Sequence, residues 1–234
     1  MPETEGVKPA FSDAVEGNHL RIDADSWENI YVVGDVHGCI EELESLLERL
    51  SPSGNELVLF VGDLVNKGPD SEAVVQRVMR MDNGLTVRGN NEQKVAEGRS
   101  SPGLSEESRE FVRSAPFVVS WGSNMVVHGG VSPAKPLRSH QPTDLLETRS
   151  ICGNGYEGTF WFERYQGDVR VFFGHTVLNT PLDLGNAVGL DTGCVYGGGL
   201  TAYDTGGEGF VTVGSDRTYR ERSERHTVSV REVR

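Results

Sequence analysis

Long apolar runs are missing from this 234-residue chain. No stretch of ~18 or more apolar residues occurs, which excludes a membrane-spanning helix. The first ten residues, MPETEGVKPA, have neither a basic start nor an apolar stretch, so no secretory signal is expected. Cysteine is scarce: Cys39, Cys152 and Cys194 form an odd count at wide spacing. That excludes a disulfide framework and a paired-cysteine zinc knuckle, and it points to a reducing, cytoplasmic setting. Lysine is scarce too, 4 residues against 18 arginines, and the net charge is −13. A general nucleic-acid surface needs the opposite sign, so no nucleic-acid partner is expected, and no membrane partner either. The glycine runs 197–199 and 206–207 lack the Lys-Ser or Lys-Thr that closes a phosphate-binding loop, and read as turns. There is no internal repeat.

What is present is enough for a buried core: 36% hydrophobic and 8% aromatic residues. Residues 1–26 are polar and unpatterned and read as a lead-in or edge segment. Asn29–Gly34 and Glu56–Gly62 are short apolar runs ending at glycine, which read as buried strands. Between them, Ile40, Leu43, Leu46, Leu47 and Leu50 recur at helical spacing, and Ser51-Pro52-Ser53-Gly54 stops the helix. A second helix is predicted over 71–81 and a short strand over 85–87. This β-α-β-α-β order predicts parallel strands, with any ligand beyond their carboxyl ends. Further strands are expected over 117–120, 125–127, 169–173, 187–190, 200–203 and 210–213. Helices are expected before Ala115 and near Asp144. The main domain is read as residues 27–216, followed by a charged segment, 217–234.

Five short segments at strand ends carry metal-type side chains: Gly34-Asp35-Val36-His37-Gly38, Gly62-Asp63 through Gly68, Arg88-Gly89-Asn90-Asn91-Glu92, Val127-His128-Gly129-Gly130, and Gly174-His175-Thr176. Asp35 and His37, one residue apart, can aim at one ion from a turn. Taken singly, each segment has an ordinary reading as a turn, a helix cap or a strand-end histidine. Taken jointly, in this order and at these positions, they point to a metal site. A mixed His, Asp and Asn set suits Mn, Fe or Zn better than Mg or Ca. Cys39 and Cys194 sit beside these motifs and read as small packing residues. His19, His140 and His226 lie outside them and read as surface histidines.

The ordered motifs GDVHG, GDLVNKG, RGNNE, HGG and GHT resemble those of the phosphoprotein-phosphatase superfamily of dinuclear metallophosphatases. The finer similarity is to the symmetrical bis(5′-nucleosyl)-tetraphosphatase branch, through GDVHGC, GDLVNKGPDS, HGGVSP and DTGCVYGG. It spans about residues 30 to 213. The resemblance implies a calcineurin-like α/β fold, a central β-sandwich flanked by helices. It implies two divalent cations, manganese first, with iron, zinc and cobalt as alternatives. Asp35, His37 and Asp63 would hold the first, and Asp63, bridging, with Asn90, His128 and His175 the second. A hydroxide between the two cations would then attack phosphorus. Arg88 and Lys67 would bind phosphate oxygens, Lys67 as a point charge where many members have the forked guanidinium of Arg.

Two positions depart from the family pattern. Asn91 stands where the family has the histidine that protonates the leaving oxygen, a step worth ~10²–10⁴-fold. Asn66 stands where phosphoprotein phosphatases have that histidine's Asp partner. An alkoxide leaving group needs the proton, whereas a phosphate or nucleotide does not. The expected substrate is therefore a small phosphoanhydride such as diadenosine tetraphosphate. The alternatives are a phosphoprotein, as for a serine/threonine phosphatase, or a catalytically impaired protein that binds metal and phosphate.

Overall fold

The computed structural model describes residues 8–152 and 155–233. Its strands are β1 His19–Arg21, β2 Asn29–Val33, β3 Glu56–Phe60, β4 Gly84–Thr86, β5 Val118–Trp121, β6 Asn124–Val126, β7 Arg170–Phe173, β8 Leu182–Asp183, β9 Ala187–Gly189, β10 Gly199–Asp204 and β11 Gly209–Gly214. Its α-helices are α1 Asp13–Glu16, α2 Ile40–Leu50, α3 Ser71–Met79, α4 Asn90–Ala96, α5 Glu106–Ser114 and α6 Pro142–Glu147. One sheet has the order β11-β10-β2-β3-β4 and the other β1-β5-β6-β7-β9-β8.

The apolar runs divide by alternation, because successive strand residues face opposite ways. Ile30, Val32, Leu57 and Leu59 of the first sheet meet Val119, Val126, Phe172 and Val188 of the second. Their chain neighbours Tyr31, Val33, Val58 and Phe60 pack instead on Leu43 and Leu46 of α2 and on Val74, Val75 and Val78 of α3. Val118, Met125, Val171 and Phe173 face the other way, onto Val15 of α1, Leu145 of α6 and Trp161. The layers are helix, sheet, sheet, helix, as the resemblance implied. Strands covered on both faces must be apolar throughout, which is why they read as continuous runs.

β2, β3 and β4 are parallel neighbours. The loops that follow them therefore leave the same edge of the sheet. β6 and β7 are also parallel neighbours, and they deliver His128 and His175. Three expectations change, and one resolves between its alternatives. α4 begins directly after Gly89, where only a turn was read; its polar face gives no hydrophobic stripe. Of the two readings of residues 1–26, the edge segment holds: β1 pairs with β5 at the sheet edge, and Phe11 and Val15 enter the core. His140 is buried, its Nε2 accepting from the Ser132 amide at 2.8 Å. The His19 side chain is buried against Ser120 Oγ at 2.8 Å, whereas His226 is exposed as expected.

Candidate metal centre

The loops after β2, β3 and β7 place side chains through unusual backbone. His37, Asp63, Asn66, Lys67 and His175 all have positive φ, between 51° and 69°. They are five of the seven non-glycine residues in the left-handed region among the described residues. Such conformations cost about 1–3 kcal/mol each and persist where the surroundings impose them, typically at functional sites. Glycine is required at two neighbouring points. A Cβ on Gly174 would overlap Asp35 Oδ1, and one on Gly89 would overlap Asp63.

The six predicted ligands converge. His37 Nε2 lies 3.4 Å from Asp63 Oδ2 and 3.7 Å from Asp35 Oδ2. His128 Nε2 lies 3.4 Å from Asp63 Oδ1, so Asp63 faces an imidazole from each sheet. Asn90 Oδ1 is 3.0 Å from His128 Nε2 and 3.1 Å from His175 Nδ1. The backbone N–H of His175 donates to Asp35 Oδ1 at 3.1 Å, which ties β7's end to β2's. All of these side chains but Asn90 are buried.

Hydrogen bonding fixes what the cluster presents. His37 Nδ1 faces the Val65 carbonyl at 3.1 Å, and His128 Nδ1 faces the Val61 carbonyl at 2.9 Å. A carbonyl only accepts, so each Nδ1 carries the proton and each Nε2 offers a lone pair. An outward-bonded Nδ1 and an inward-facing Nε2 is the arrangement of a metal-binding histidine. His37 Nε2 already accepts from a cation, Lys67 Nζ, at 2.6 Å. Asn90 Oδ1 meets the nitrogens of His128 and His175, and turning the amide would bring its nitrogen to both and to Asp63 Oδ2 at 3.2 Å. Acceptor atoms packed this closely call for positive charge between them. Asp35, Asp63 and His128 in particular offer ligand atoms within 4.8 Å of one another. The donor set thus fits divalent cations.

The charges respond to this crowding. Burial, with Lys67 next to it, pushes His37 down to about 3, so its imidazole stays neutral. Burial and then the charges of His128 and Arg149 hold His175 well below the ordinary histidine range. Burial, followed by Asp191 and Asp63, raises Asp35. Burial also opposes ionisation of Asp63, yet His128, His37, Lys67 and the Asn91 amide hold it low. Burial pushes Glu92 up to about 7. Its oxygens accept from the backbone of Asp63 at 2.8 Å, Gly89 at 2.8 Å and Val65 at 3.2 Å, bracing the loop that carries Asp63.

The model of calcineurin-like phosphoesterases matches residues 28–203. The chain belongs to that family. It is 32% identical over 219 residues to the asymmetrical bis(5′-nucleosyl)-tetraphosphatase PrpE of Geobacillus thermodenitrificans, covering 74% of this chain and 89% of that one. It is 30% identical over 213 residues to serine/threonine-protein phosphatase 1 of Salmonella typhimurium, covering 78% and 94%. A crystal structure described provisionally as a diadenosine tetraphosphatase superposes with a TM-score of 0.74 at 27% identity, covering 85% and 98%. The motif resemblance pointed to the symmetrical branch, whereas the PrpE relative carries the asymmetrical name. Family membership makes the chain a metal-dependent phosphoesterase, a hydrolase of phosphate esters or anhydrides.

The remaining predicted residues of this phosphoesterase divide. Asn91 is buried beside Asp63, its amide donating to Asp63 Oδ2 at 2.5 Å and its backbone to Oδ1 at 2.9 Å. Asn66 Nδ2 donates to Asn91 Oδ1 at 3.1 Å, and Ser100 Oγ donates to Asn66 Oδ1 at 3.0 Å. Arg88 donates to Gln93 at 3.1 Å and to the Arg113 carbonyl and stacks over Phe117, while its Nε is buried with no hydrogen-bond partner. Cys39 and Cys194 are buried in the core beside Glu42. Contact with Cys39 and burial push the Cys194 thiol far up, which suits packing rather than nucleophilic attack.

Two residues at the centre had no assigned role in the sequence. Arg149 donates from its guanidinium to the His175 carbonyl at 3.3 Å and reaches His175 Nδ1 at 3.1 Å. It comes from the irregular 132–158 stretch, where a lone arginine gives no signal. Asp191 is buried near Asp35, and its place in DTGCVYGG was the one available cue.

Proposed function

We propose that this chain is a dinuclear phosphohydrolase that prefers phosphoanhydrides, with a dinucleoside polyphosphate such as diadenosine tetraphosphate as its substrate. The observation that carries this reading is the Asn91–Asp63 contact. A neutral amide, bonded to a second amide at Asn66, occupies the side of Asp63 where the family's acid is expected. It can orient Asp63 and the substrate but cannot give up a proton at ordinary pH. Substrates whose leaving group departs as a stable phosphate anion lose least from that change. The names of the PrpE relative and of the similar crystal structure support the same substrate class.

Asp35, His37 and Asp63 would hold one cation, and Asp63, Asn90, His128 and His175 the second, with manganese first in preference. When bound, the pair supplies a hydroxide nucleophile at neutral pH and charge to offset the phosphoryl oxygens. The Nδ1–carbonyl bonds of His37 and His128 hold both rings in the ligating tautomer. Lys67 would leave His37 Nε2 for a phosphate oxygen, and Arg88 would have to turn from Gln93 and the Arg113 carbonyl to reach another. The cytoplasmic setting expected from the cysteines belongs to the same proposal.

Phosphate release by metal-stripped protein resupplied with Mn²⁺ tests this reading. Diadenosine tetraphosphate should be cleaved with a higher kcat/KM than a phosphoserine peptide. The reverse order would favour the protein-phosphatase reading, which the Salmonella relative's name supports. Silence on both, with two metals bound, would favour the impaired binding protein.

A further inference from the structure

A cavity of about 550 Å³ opens beside Asn91, between the predicted ligand loops and the C-terminal segment. Lys67 and Lys94 line it from the loops, Arg99 from the connector after α4, and Arg220, Arg222 and His226 from the C-terminal segment. Five of the chain's 22 Lys and Arg thus gather at one cavity, against one of its 35 Asp and Glu, Glu221. In a chain of net charge −13, such a concentration is not a by-product of composition. Like charges held together repel, and an anion among them relieves that repulsion.

Asp63, Asp191 and Asp35 favour the charge of Lys67 without touching it, but direct pairing at the cavity is sparse. Arg99 pairs with Glu97. Among the described residues, no carboxylate lies within ion-pair distance of Lys67, Lys94, Arg220 or Arg222. Arg222 is held by neutral groups instead. It lies 4.5 Å from the Tyr196 ring and 5.0 Å from the Tyr156 ring, and it donates to the His226 carbonyl at 2.9 and 2.6 Å. Two guanidinium nitrogens are used there, and the remaining N–H groups keep their donors for a ligand.

The segment that brings these groups is anchored at both ends. Tyr219 donates to Glu42 at 3.2 Å, and the Arg220 amide donates to the Val195 carbonyl at 3.0 Å. Val228 donates to the Val177 carbonyl at 2.8 Å and bridges Leu178. Residues 220–226 therefore hang between fixed points, and they lie outside the 28–203 region shared with the family.

We propose that residues 220–226 form a second anion subsite, which holds the phosphates of a polyphosphate chain beyond the one under attack. The subsite selects substrates with three or more linked phosphates over a single phosphate ester. It rests on the phosphoanhydride reading above and names the residues that enforce it.

The test uses the full chain loaded with Mn²⁺, as wild type, R220Q/R222Q, R220K/R222K and the single variant R220Q. The ratio of kcat/KM on diadenosine tetraphosphate to that on p-nitrophenyl phosphate should fall tenfold or more in R220Q/R222Q, mainly through KM. R220K/R222K should recover most of the loss. Competitive inhibition by inorganic tripolyphosphate should weaken tenfold or more, while inhibition by orthophosphate should change by less than twofold. An unchanged ratio and unchanged tripolyphosphate inhibition would overturn the subsite. If R220Q/R222Q fails to fold in a thermal melt, R220Q alone decides: its tripolyphosphate inhibition must weaken at least threefold. If wild type cleaves diadenosine tetraphosphate no better than the monoester, the phosphoanhydride reading fails. Tripolyphosphate inhibition still reads the subsite in that case.

Discussion

Asp63 has two unlike sides. Toward His37 and His128 it faces imidazoles whose Nδ1 atoms are bonded to backbone carbonyls and whose Nε2 atoms turn inward. Toward Asn91 it faces a chain of amides running through Asn66 to Ser100, with Lys94 Nζ donating to Asn91 Oδ1 at 3.4 Å. The first side gathers the groups proposed to hold cations. On the proposed reading, the second side keeps hydrogen bonding but has an amide where the family's histidine acid is expected. In the proposed function, cation binding is thus separate from proton transfer. A site can retain the first, give up the second, and still suit a leaving group that departs unprotonated.

The largest effect should come from breaking the first side. Asp63→Asn removes a carboxylate that faces ligands of both predicted cations. Activity should fall by more than the ~10–100-fold typical of losing an outer partner of a metal ligand. Metal content by elemental analysis should fall with it. Intact content together with intact activity would remove Asp63 from its bridging place.

A smaller effect should follow from loosening the brace. Glu92→Gln puts an NH₂ group against backbone N–H donors that now share two carboxylate oxygens. The cost should be about 1–3 kcal/mol, the range for an unsatisfied buried donor. Denaturant melts of metal-free protein would measure it, and an unchanged midpoint would show that Glu92 does not support the loop.

The third effect is a pH dependence, in which two groups oppose each other. His37 has a folded pKa of about 3 against an ordinary 6.5. A depressed folded pKa means the unfolded chain takes up the proton first. The stability of metal-free protein is then present above pH 6.5 and lost as pH falls toward 3. Glu92 works in the opposite sense: raised from 4.5 to about 7, it contributes stability below pH 4.5 that is lost as pH rises through 7. Acid loss should therefore be steeper in Glu92→Gln than in wild type. Parallel curves would sink the assignment of these two groups.

The proposed ligand set could be named from sequence because most of its members follow closely on apolar strands, and buried strands announce themselves as apolar runs. Asp35, Asp63 and Asn90 follow β2, β3 and β4, and His128 and His175 follow β6 and β7. The rest depended on contacts distant in sequence. α4 has no apolar stripe, and it is held by Glu92 reaching back to the Asp63 loop. Arg149 and His140 lie in a Pro- and Gly-rich stretch, and their partners are set only by the fold. The C-terminal segment looked merely charged. Its anchors, Tyr219 on Glu42 and Val228 on Leu178, join residues 177 and 50 positions apart.

The contrast between the two sides of Asp63 is tested most directly by Asn91→His. Steady-state kcat would be measured with Mn²⁺ on a phosphoserine peptide and on diadenosine tetraphosphate. A restored acid should raise kcat on phosphoserine by roughly tenfold or more, at the lower end of what general acid catalysis contributes or below it, and on the anhydride by far less. An equal gain on both substrates, or none on phosphoserine with both metals bound, would contradict the account.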